Sequence, residues 1–367
     1  MNKYLIVLPS DLMGGAEANL LKIARFLSMR NKAVKIVFLS RRAKGASIWN
    51  ELKGVDLVYM NARRESVGAL MFFLYLFPNY HCSTVICSHT HTNAYVSLLS
   101  RIKILNAKQI VLRESTNVFS WFSGWKLKLI KALYCFYHPK SHVICQTERM
   151  KSELLFNLPK FLHHDLSVVS NPVDMNDVIE KSSMKSDLIE EKVPVFDASY
   201  KVIVTVARLV EEKAIDVLID SFSRLDDDFA LVVLGDGPQK KALLDFAQKL
   251  GCAERVFFLG YISNPYPFVK RADLSVVSSR LEGFPNTLLE KMCLSRRVVS
   301  TLCADGVETI PGIRVCNPDD VVGLEKAIKD SFEEPLLESH QRQKAMLSYV
   351  QGRTVDKFVN NILKEHF

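Results

Sequence analysis

Short runs rich in Val, Ile and Leu recur along this 367-residue chain, and each passes through turn residues into a longer amphipathic stretch. Tyr4–Leu8, Lys35–Leu39, Asp56–Met60, Thr84–Cys87, Gln109–Ser115, His142–Cys145 and Leu166–Val169 form one series. A second opens at Lys201 and continues with Leu231–Leu234, Arg255–Leu259, Asp273–Val277, Arg297–Thr301 and Ile313–Cys316. Apolar runs of this length, with no polar face, are predicted strands buried on both sides. Strands that alternate with helices make an α/β chain with parallel sheets. At 48% apolar and 24% charged residues the chain can bury two separate cores. The predicted organisation is a domain over 1–175, a polar linker over 176–199, a second domain over 200–345, and C-terminal helices over 346–367.

Ligands of open α/β sheets bind at the carboxyl ends of strands, so the chemistry is sought in the turns there. After Asp273–Val277 comes Ser278-Ser279-Arg280-Leu281-Glu282-Gly283-Phe284-Pro285-Asn286-Thr287-Leu288-Leu289-Glu290. Gly283 and Pro285 stop the strand, and Pro285 and Asn286 suit a helix start. The free amides of that helix's first turn favour an anion. Glu290, about one turn further, would repel an anion it faced and is better used on neutral hydroxyls. Phosphate at the amides and a diol at Glu290 describe a nucleoside diphosphate with its ribose. On spacing alone, an exposed loop with two solvated glutamates fits as well.

Other strand ends carry further candidates. The first turn holds paired glycines, Gly14 and Gly15, before Glu17. Such a pair lets a backbone approach a ligand closely, although it is not the Gly-x-Gly-x-x-Gly dinucleotide fingerprint. Thr84–Cys87 runs into Ser88-His89-Thr90-His91-Thr92-Asn93, with Thr92 or Asn93 predicted to cap a helix. No further Cys, His or carboxylate cluster accompanies the two histidines, so a metal is discounted. Arg113 and Glu114 end the next strand, either as acceptor contacts or as a rim ion pair. In the second half, Arg208 at a strand end and Lys213 at a helix head suit a diphosphate clamp. Gly235-Asp236-Gly237-Pro238 is a tight turn. Asp226-Asp227-Asp228 precedes its strand and so lies at the wrong end of the sheet for a metal pair.

Together these residues resemble the retaining GT-B glycosyltransferases of family 4 (glycosyl transferases group 1), of the bacterial surface-polysaccharide type. The resemblance rests on Glu282 and Glu290 as a Glu-x7-Glu motif, on Gly14-Gly15-Ala16-Glu17, and on His91 of a His-x-Asn pattern. It also rests on Arg208-Leu209 with Lys213, on Gly235 to Pro238, and on Asn171-Pro172-Val173-Asp174 at the domain junction. Ala207 and Pro172 stand where the family has glycine, and Leu294-Ser295-Arg296-Arg297 departs from its common Gly-x-Pro. The resemblance implies two Rossmann-like domains facing across a cleft, with the last helix crossing back to the first domain. It implies transfer of a hexosyl or N-acetylhexosaminyl group from a UDP- or GDP-sugar, with retention of configuration. No cofactor and no essential metal are implied, the nucleotide sugar being a substrate. Arg208 and Lys213 would stabilise the leaving diphosphate, and Glu290 would hold the ribose. Gly14, Gly15, Gly283, Phe284, Pro285, Asn286 and Thr287 would complete the donor site. Glu282 and His91 would orient the sugar, with His89 as second choice. Glu17, His89, Arg113 and Glu114 would lie on the acceptor side.

Charge suggests what the acceptor is. Residues 101–160 carry 11 Lys/Arg against 3 Asp/Glu, which equals the whole chain's net +8. Within them, Trp121 to Tyr134 alternates aromatics and lysines with no acid, the pattern of an interfacial helix. Nucleic acid is the competing anion, but no nucleic-acid-binding motif is recognisable. A lipid-linked oligosaccharide, or a lipopolysaccharide, O-antigen or capsule intermediate, would supply both anion and lipid. The expected location is cytoplasmic, peripheral on the inner face of the membrane. Val67–Phe77 is apolar all round but too short to span a bilayer, and reads either as a buried helix, the favoured expectation, or as a membrane-contacting one. The first residues lack a signal-peptide core and read as a strand. Eight scattered cysteines without a Cys-x-x-Cys pair read as buried thiols in a reducing compartment. Two other functions stay open: a non-hydrolysing nucleotide-sugar epimerase on the same fold, and a catalytically silent, membrane-associated nucleotide-sugar-binding protein.

Overall fold

The computed structural model describes residues 3–42, 48–185, 196 and 200–365. It divides into two compact units, Met1–Pro172 with Val355–Phe367, and Val173–Thr354. The first unit runs β1 (Lys3–Ser10), α1 (Gly15–Met29), β2 (Ala33–Ser40), β3 (Val55–Tyr59), α2 (Glu65–Leu76), β4 (Tyr80–Ser88) and α3 (Thr90–Arg101). It continues with β5 (Leu105–Arg113), α4 (Val118–Trp121), α5 (Gly124–Leu133), β6 (His142–Cys145), α6 (Glu148–Asn157) and β7 (Asp165–Val168). The second unit contains α7 (Met175–Ser182), β8 (Lys201–Val206), α8 (Ile215–Ser223), β9 (Phe229–Leu234), α9 (Lys240–Lys249), β10 (Val256–Gly260) and α10 (Tyr266–Arg271). After these come β11 (Leu274–Val277), α11 (Asn286–Leu294), β12 (Val298–Thr301), β13 (Arg314–Cys316), α12 (Val321–Glu333) and α13 (Leu336–Gln351). The last helix, α14 (Val355–Leu363), belongs to the first unit.

Each unit is a parallel sheet, ordered β3-β2-β1-β4-β5-β6-β7 in the first and β10-β9-β8-β11-β12-β13 in the second. Strand order reverses between β1 and β4 and again between β8 and β11. Those two switch points fix where the loops splay apart and a ligand can enter. Period-two burial explains the layering. In β1, Leu5 and Val7 enter a core with Phe72 of α2 and Leu99 of α3. Tyr4, Ile6 and Leu8 enter the opposite core, with Leu20, Ile23 and Leu27 of α1 and Phe358, Val359, Ile362 and Leu363 of α14. β8 repeats this, Ile203 packing on α8 and Val202 and Val204 on Phe268 of α10.

Several elements differ from the sequence-based expectation. The Val67–Phe77 segment is helical in α2 but not enclosed. Gly68, Phe72 and Leu76 are buried as a narrow stripe on β2, while Leu70 and Leu74 are 61% and 62% exposed. Gly68 makes that packing possible, because a Cβ there would lie 1.5 Å from the Leu39 carbonyl oxygen. The Trp121 to Tyr134 stretch is two helices, α4 and α5, broken at Phe122-Ser123, and α5 has no buried residue. Its Trp125 is 71% exposed. α3 starts at Thr90 with His89 as its boundary residue, so Thr92 and Asn93 do not cap it and are buried inside it. The expected linker opens as α7, capped by Asp174 through the Asp177 amide, and Val178 joins the second unit's core. Residues 186–195 and 197–199 of that linker lie outside the described residues. α13 stays with the second unit through Met346 and Val350, so α14 alone returns to the first. Among the described residues no helix is long and apolar enough to cross a membrane.

Candidate functional site

In the second unit the site is assembled from the loops that follow β8 and β11. The chain leaves β8 through exposed Arg208, makes a short 3-10 turn over Glu211–Lys213, and reverses at Ala214, which has φ 48°. Ser278 fixes that turn by donating to the Lys213 carbonyl at 2.9 Å. Arg280 does more. Its backbone amide donates to the Glu212 carbonyl at 2.8 Å, and its guanidinium reaches the Glu211 carbonyl at 2.5 Å. The same guanidinium pairs with Asp216 at 2.6 Å and Asp319 at 2.7 Å. Hydrogen bonding to Asp216 first, and then Asp319, raises Arg280 above its ordinary range. Arg280 thus ties the β8 turn to the β11 loop, a role that sequence reading missed because its partners are distant in the chain.

The tie brings Lys213 onto Glu282, where the two form an ion pair, and Ser279 donates to the same Glu282 oxygen at 2.8 Å. Both members are half-buried. A small cavity beside them is lined by Ser278, Ser279, Thr287 and Lys291 as well. Thr287 and Lys291, four apart on α11, share one helix face. The amino end of α11 follows Pro285 and has no side-chain cap, and the positive end of its helix dipole there favours an anion. Phe284 is buried against that helix, with the Arg353 guanidinium 5.3 Å from its ring centre. Gly283 sits in the turn ahead of it. Glu290 is half-buried next to Tyr266, whose phenol is raised first by burial and then by Glu290. The Gly235 to Pro238 turn backs the β8 loop. Gly235, at φ +144°, brings its backbone so close that a Cβ would sit 1.8 Å from the Ala207 carbonyl oxygen.

Lys291 was not singled out from the sequence. It is 2% exposed, and burial first and the neighbouring Lys213 next bring it down to about 7. The available signal was a lysine at a position that α11's apolar periodicity assigns to the core.

The first unit places the other candidates at the β1 and β4 ends. Glu17 lies in the first turn of α1, just after Gly14 and Gly15, and is buried. His89 has φ 79°, a conformation uncommon for a side-chain-bearing residue. Its Nδ1 is 2.8 Å from the Ser88 carbonyl oxygen and its Nε2 is 3.4 Å from Glu17. His91 turns outward, its Nε2 3.2 Å from Glu65, which also pairs with Arg42 at 3.1 Å. Burial first and then His89 lower His91, against the pull of Glu65. His89 is thus held at the strand end beside Glu17, while His91 faces Glu65.

Arg113 and Glu114 are buried rather than presented on the rim. Glu114 accepts hydrogen bonds from Thr90 (3.1 Å), Asn93 (3.0 Å), Tyr134 (2.8 Å) and Tyr137 (2.5 Å). Arg113 donates to Asn171, while its Nε and Nη1 have no hydrogen-bond partner among the described residues, and burial lowers it to about 10. Acids near the other sheet ends are engaged elsewhere: Asp228 pairs with Lys201 at 2.8 Å and Asp227 with Arg255 at 3.5 Å. Among the described residues, no group of three or more His, Cys, Asp or Glu side chains is arranged to hold a metal.

With this geometry in place, comparison with known proteins is informative. Residues 188–345 match the family model described as Glycosyl transferases group 1. The chain is 30% identical over 234 residues to an uncharacterized glycosyltransferase of Methanocaldococcus jannaschii, covering 62% of this chain and 57% of that one. It is 28% identical over 232 residues to a Campylobacter jejuni enzyme named N-acetylgalactosamine-N,N'-diacetylbacillosaminyl-diphospho-undecaprenol 4-alpha-N-acetylgalactosaminyltransferase, covering 63% and 59%. The alignments thus span less than two thirds of either relative. A shorter match, 31% identical over 148 residues, is to the lipopolysaccharide 1,6-galactosyltransferase of Salmonella typhimurium, covering 39% and 38%. Among solved structures, Anabaena HepE in complex with UDP and glucose superposes with a TM-score of 0.81 at 17% identity, covering 99% of each chain. The fold is GT-B, two parallel-sheet Rossmann-like units, and it is residues 188–345 that match the glycosyl transferases group 1 model.

Proposed function

We propose that the chain is a retaining glycosyltransferase that moves a hexosyl or N-acetylhexosaminyl group from a UDP- or GDP-sugar to a lipid-linked saccharide, of the kind used to build lipopolysaccharide, O-antigen or capsule. The observation that carries this reading is the pairing of Lys213 with Glu282 beside the uncapped end of α11, at the β8/β11 switch point. The Campylobacter and Salmonella relatives, by their names, support a lipid-borne acceptor.

In this reading the diphosphate lies on the α11 amides, within reach of Lys213 and exposed Arg208. Glu290 accepts from the ribose hydroxyls. The bond between the anomeric carbon and the phosphate oxygen breaks, and the diphosphate leaves with the electron pair. Lys213, Arg208 and the helix amides stabilise the charge as it grows. The acceptor hydroxyl forms the new glycosidic bond on the same face and passes its proton to the leaving phosphate oxygen. Glu282 and His89, the latter held by Glu17, orient the sugar. The enzyme needs no cofactor and no metal. Trp125 and Leu129 of α5, with Lys126, Lys128 and Lys131, hold the protein against the inner, anionic face of the cytoplasmic membrane.

The test is a screen of nucleotide sugars, read as thermal shift, as slow donor hydrolysis and as transfer to a lipid-linked acceptor. Transfer should appear with one donor class. It should fall by about two orders of magnitude or more in Arg208→Ala at matched folded fraction, because the charge is needed most as the bond breaks. A new nucleotide-sugar isomer without acceptor would make the chain an epimerase. Binding without turnover would make it a silent binding protein.

A further inference from the structure

We propose that Lys291 is the counter-charge of the nucleotide site: buried in the cavity it shares with the Lys213–Glu282 ion pair, it takes up a proton when a nucleoside diphosphate draws Lys213 away from Glu282. The inference rests on the reading that this site takes a nucleoside diphosphate.

A fully buried lysine normally has an acid on its amine. Lys291 has none within ion-pair distance among the described residues. Its one hydrogen bond there goes to the Val276 carbonyl, at 2.7 Å, an oxygen that Thr205 also reaches at 3.0 Å. Yet its side chain lines the same small cavity as Lys213, Glu282 and Thr287. Four ionisable groups act on it. Lys213 comes from the turn before α8, Glu282 from the loop after β11, Glu290 from α11 itself and Cys303 from the strand end after β12. Burial pushes the Cys303 thiol up to about 12, so that group stays neutral. Burial first and Lys213 second hold Lys291 at about 7, and the two glutamates pull the other way.

While Lys213 sits on Glu282, that carboxylate is already neutralised and Lys291 gains little from it. A diphosphate at the α11 amides changes each of these influences together. It adds negative charge close to the amine, and it competes for Lys213. Glu282 is then left without its cation, and Lys291, which lines the same cavity, can replace it. All three changes favour the protonated amine. Binding thereby adds one positive charge under the leaving group without bringing a new side chain into the site. Proton uptake and nucleotide affinity are then linked, and affinity must fall as pH rises above the resting value of Lys291.

UDP and GDP titrated calorimetrically into the full chain at pH 8, in Tris and in HEPES, measure the linkage through the buffers' different ionisation heats. The expected result is uptake of roughly one proton per nucleotide by the wild type and almost none by Lys291→Met. Wild-type affinity should weaken by up to about tenfold per pH unit from pH 7.5 to 9, a window in which the diphosphate itself no longer titrates. That profile decides the matter even if the variant fails to fold. Tight binding without uptake, uptake that persists in Lys291→Met, or affinity that ignores pH would each overturn the role of Lys291 and leave the nucleotide site standing. If neither UDP nor GDP binds, the reading of the site fails, and this inference with it.

Discussion

Lys291 also makes a stability prediction whose sign follows from its burial. The unfolded chain holds that proton up to about 10.5, and the folded chain up to about 7. Between those values the unfolded state binds more protons, so this group's contribution to stability improves as pH rises through the window. Below about 7 both states are charged and the full cost of the buried ammonium is present. Lys291→Met should therefore stabilise the protein most near pH 6, by about 2–4 kcal/mol, and least near pH 10. Thermal unfolding of both proteins across that range checks it; a gain that grows with pH would refute it. The two glutamates separate in a similar way. Glu290→Gln should weaken UDP or GDP binding by about tenfold or more, through loss of a charged acceptor for the ribose. Glu282→Gln releases Lys213 from its ion pair, so nucleotide affinity should hold or improve while transfer falls. Calorimetry alongside a transfer assay tells these apart, and equal nucleotide affinity in wild type and Glu290→Gln would remove the ribose role.

The elements around the site depend on close backbone contacts. In Gly235→Ala the new Cβ meets the Ala207 carbonyl, and its backbone sits at φ +144°, where an L side chain is strained. The β8 loop must then shift away from the turn before α9. The cost should be at least about 1–3 kcal/mol, with nucleotide binding lost beyond what destabilisation explains. A normal nucleotide affinity in the folded variant would show that the β8 loop does not depend on this packing. Features of this kind were legible in the sequence, because a glycine at a strand end and an apolar run before it are local signals. So were β8, β11 and α11, whose residues alternate or repeat within a few positions. What was not legible depends on partners far along the chain. Arg280 finds Asp216 and Asp319, which no window around it contains. His89 and His91 take different partners, Glu17 and Glu65, and His89 has a backbone angle that composition does not encode. α2 is as apolar as a core helix, but α2 turns one narrow stripe to the sheet, and its other side is left in solvent. Helices α13 and α14 follow one another in the chain, and the tertiary core decides that one stays with the second unit and the other joins the first.

For the whole molecule, the exposed side of the first unit sets the membrane prediction. α2 and α5 flank α3 on the same face of the seven-stranded sheet. Tyr95 of α3 donates to the Ala69 carbonyl of α2 at 2.5 Å, and Ile130 and Leu133 of α5 pack on the core that holds Phe72 and Leu99. Outward of that shared core, Leu70, Leu74 and Phe77 of the α2 end are apolar and exposed, and so are Trp125 and Leu129 of α5. Lys126 and Lys128 are exposed on α5, and Lys131, partly buried, reaches Asn157 at 3.0 Å. Each basic residue near an anionic bilayer is worth about 1 kcal/mol, screened over a Debye length of roughly 8–10 Å. Three lysines with partial burial of Trp125 and the α2 leucines give reversible attachment, sensitive to salt, rather than insertion. Co-sedimentation should show binding to vesicles containing phosphatidylglycerol and little to pure phosphatidylcholine. Lys126, Lys128 and Lys131 changed together to Glu should abolish it and lower transfer to a lipid-linked acceptor, while donor hydrolysis is spared. Leu70→Ser with Leu74→Ser should weaken binding to anionic vesicles at high salt more than at low salt, because at high salt the apolar contact is what remains. Attachment indifferent to lipid charge, or a triple variant that transfers to lipid as well as the wild type, would remove the membrane contact and leave the sugar-transfer chemistry of the second unit untouched.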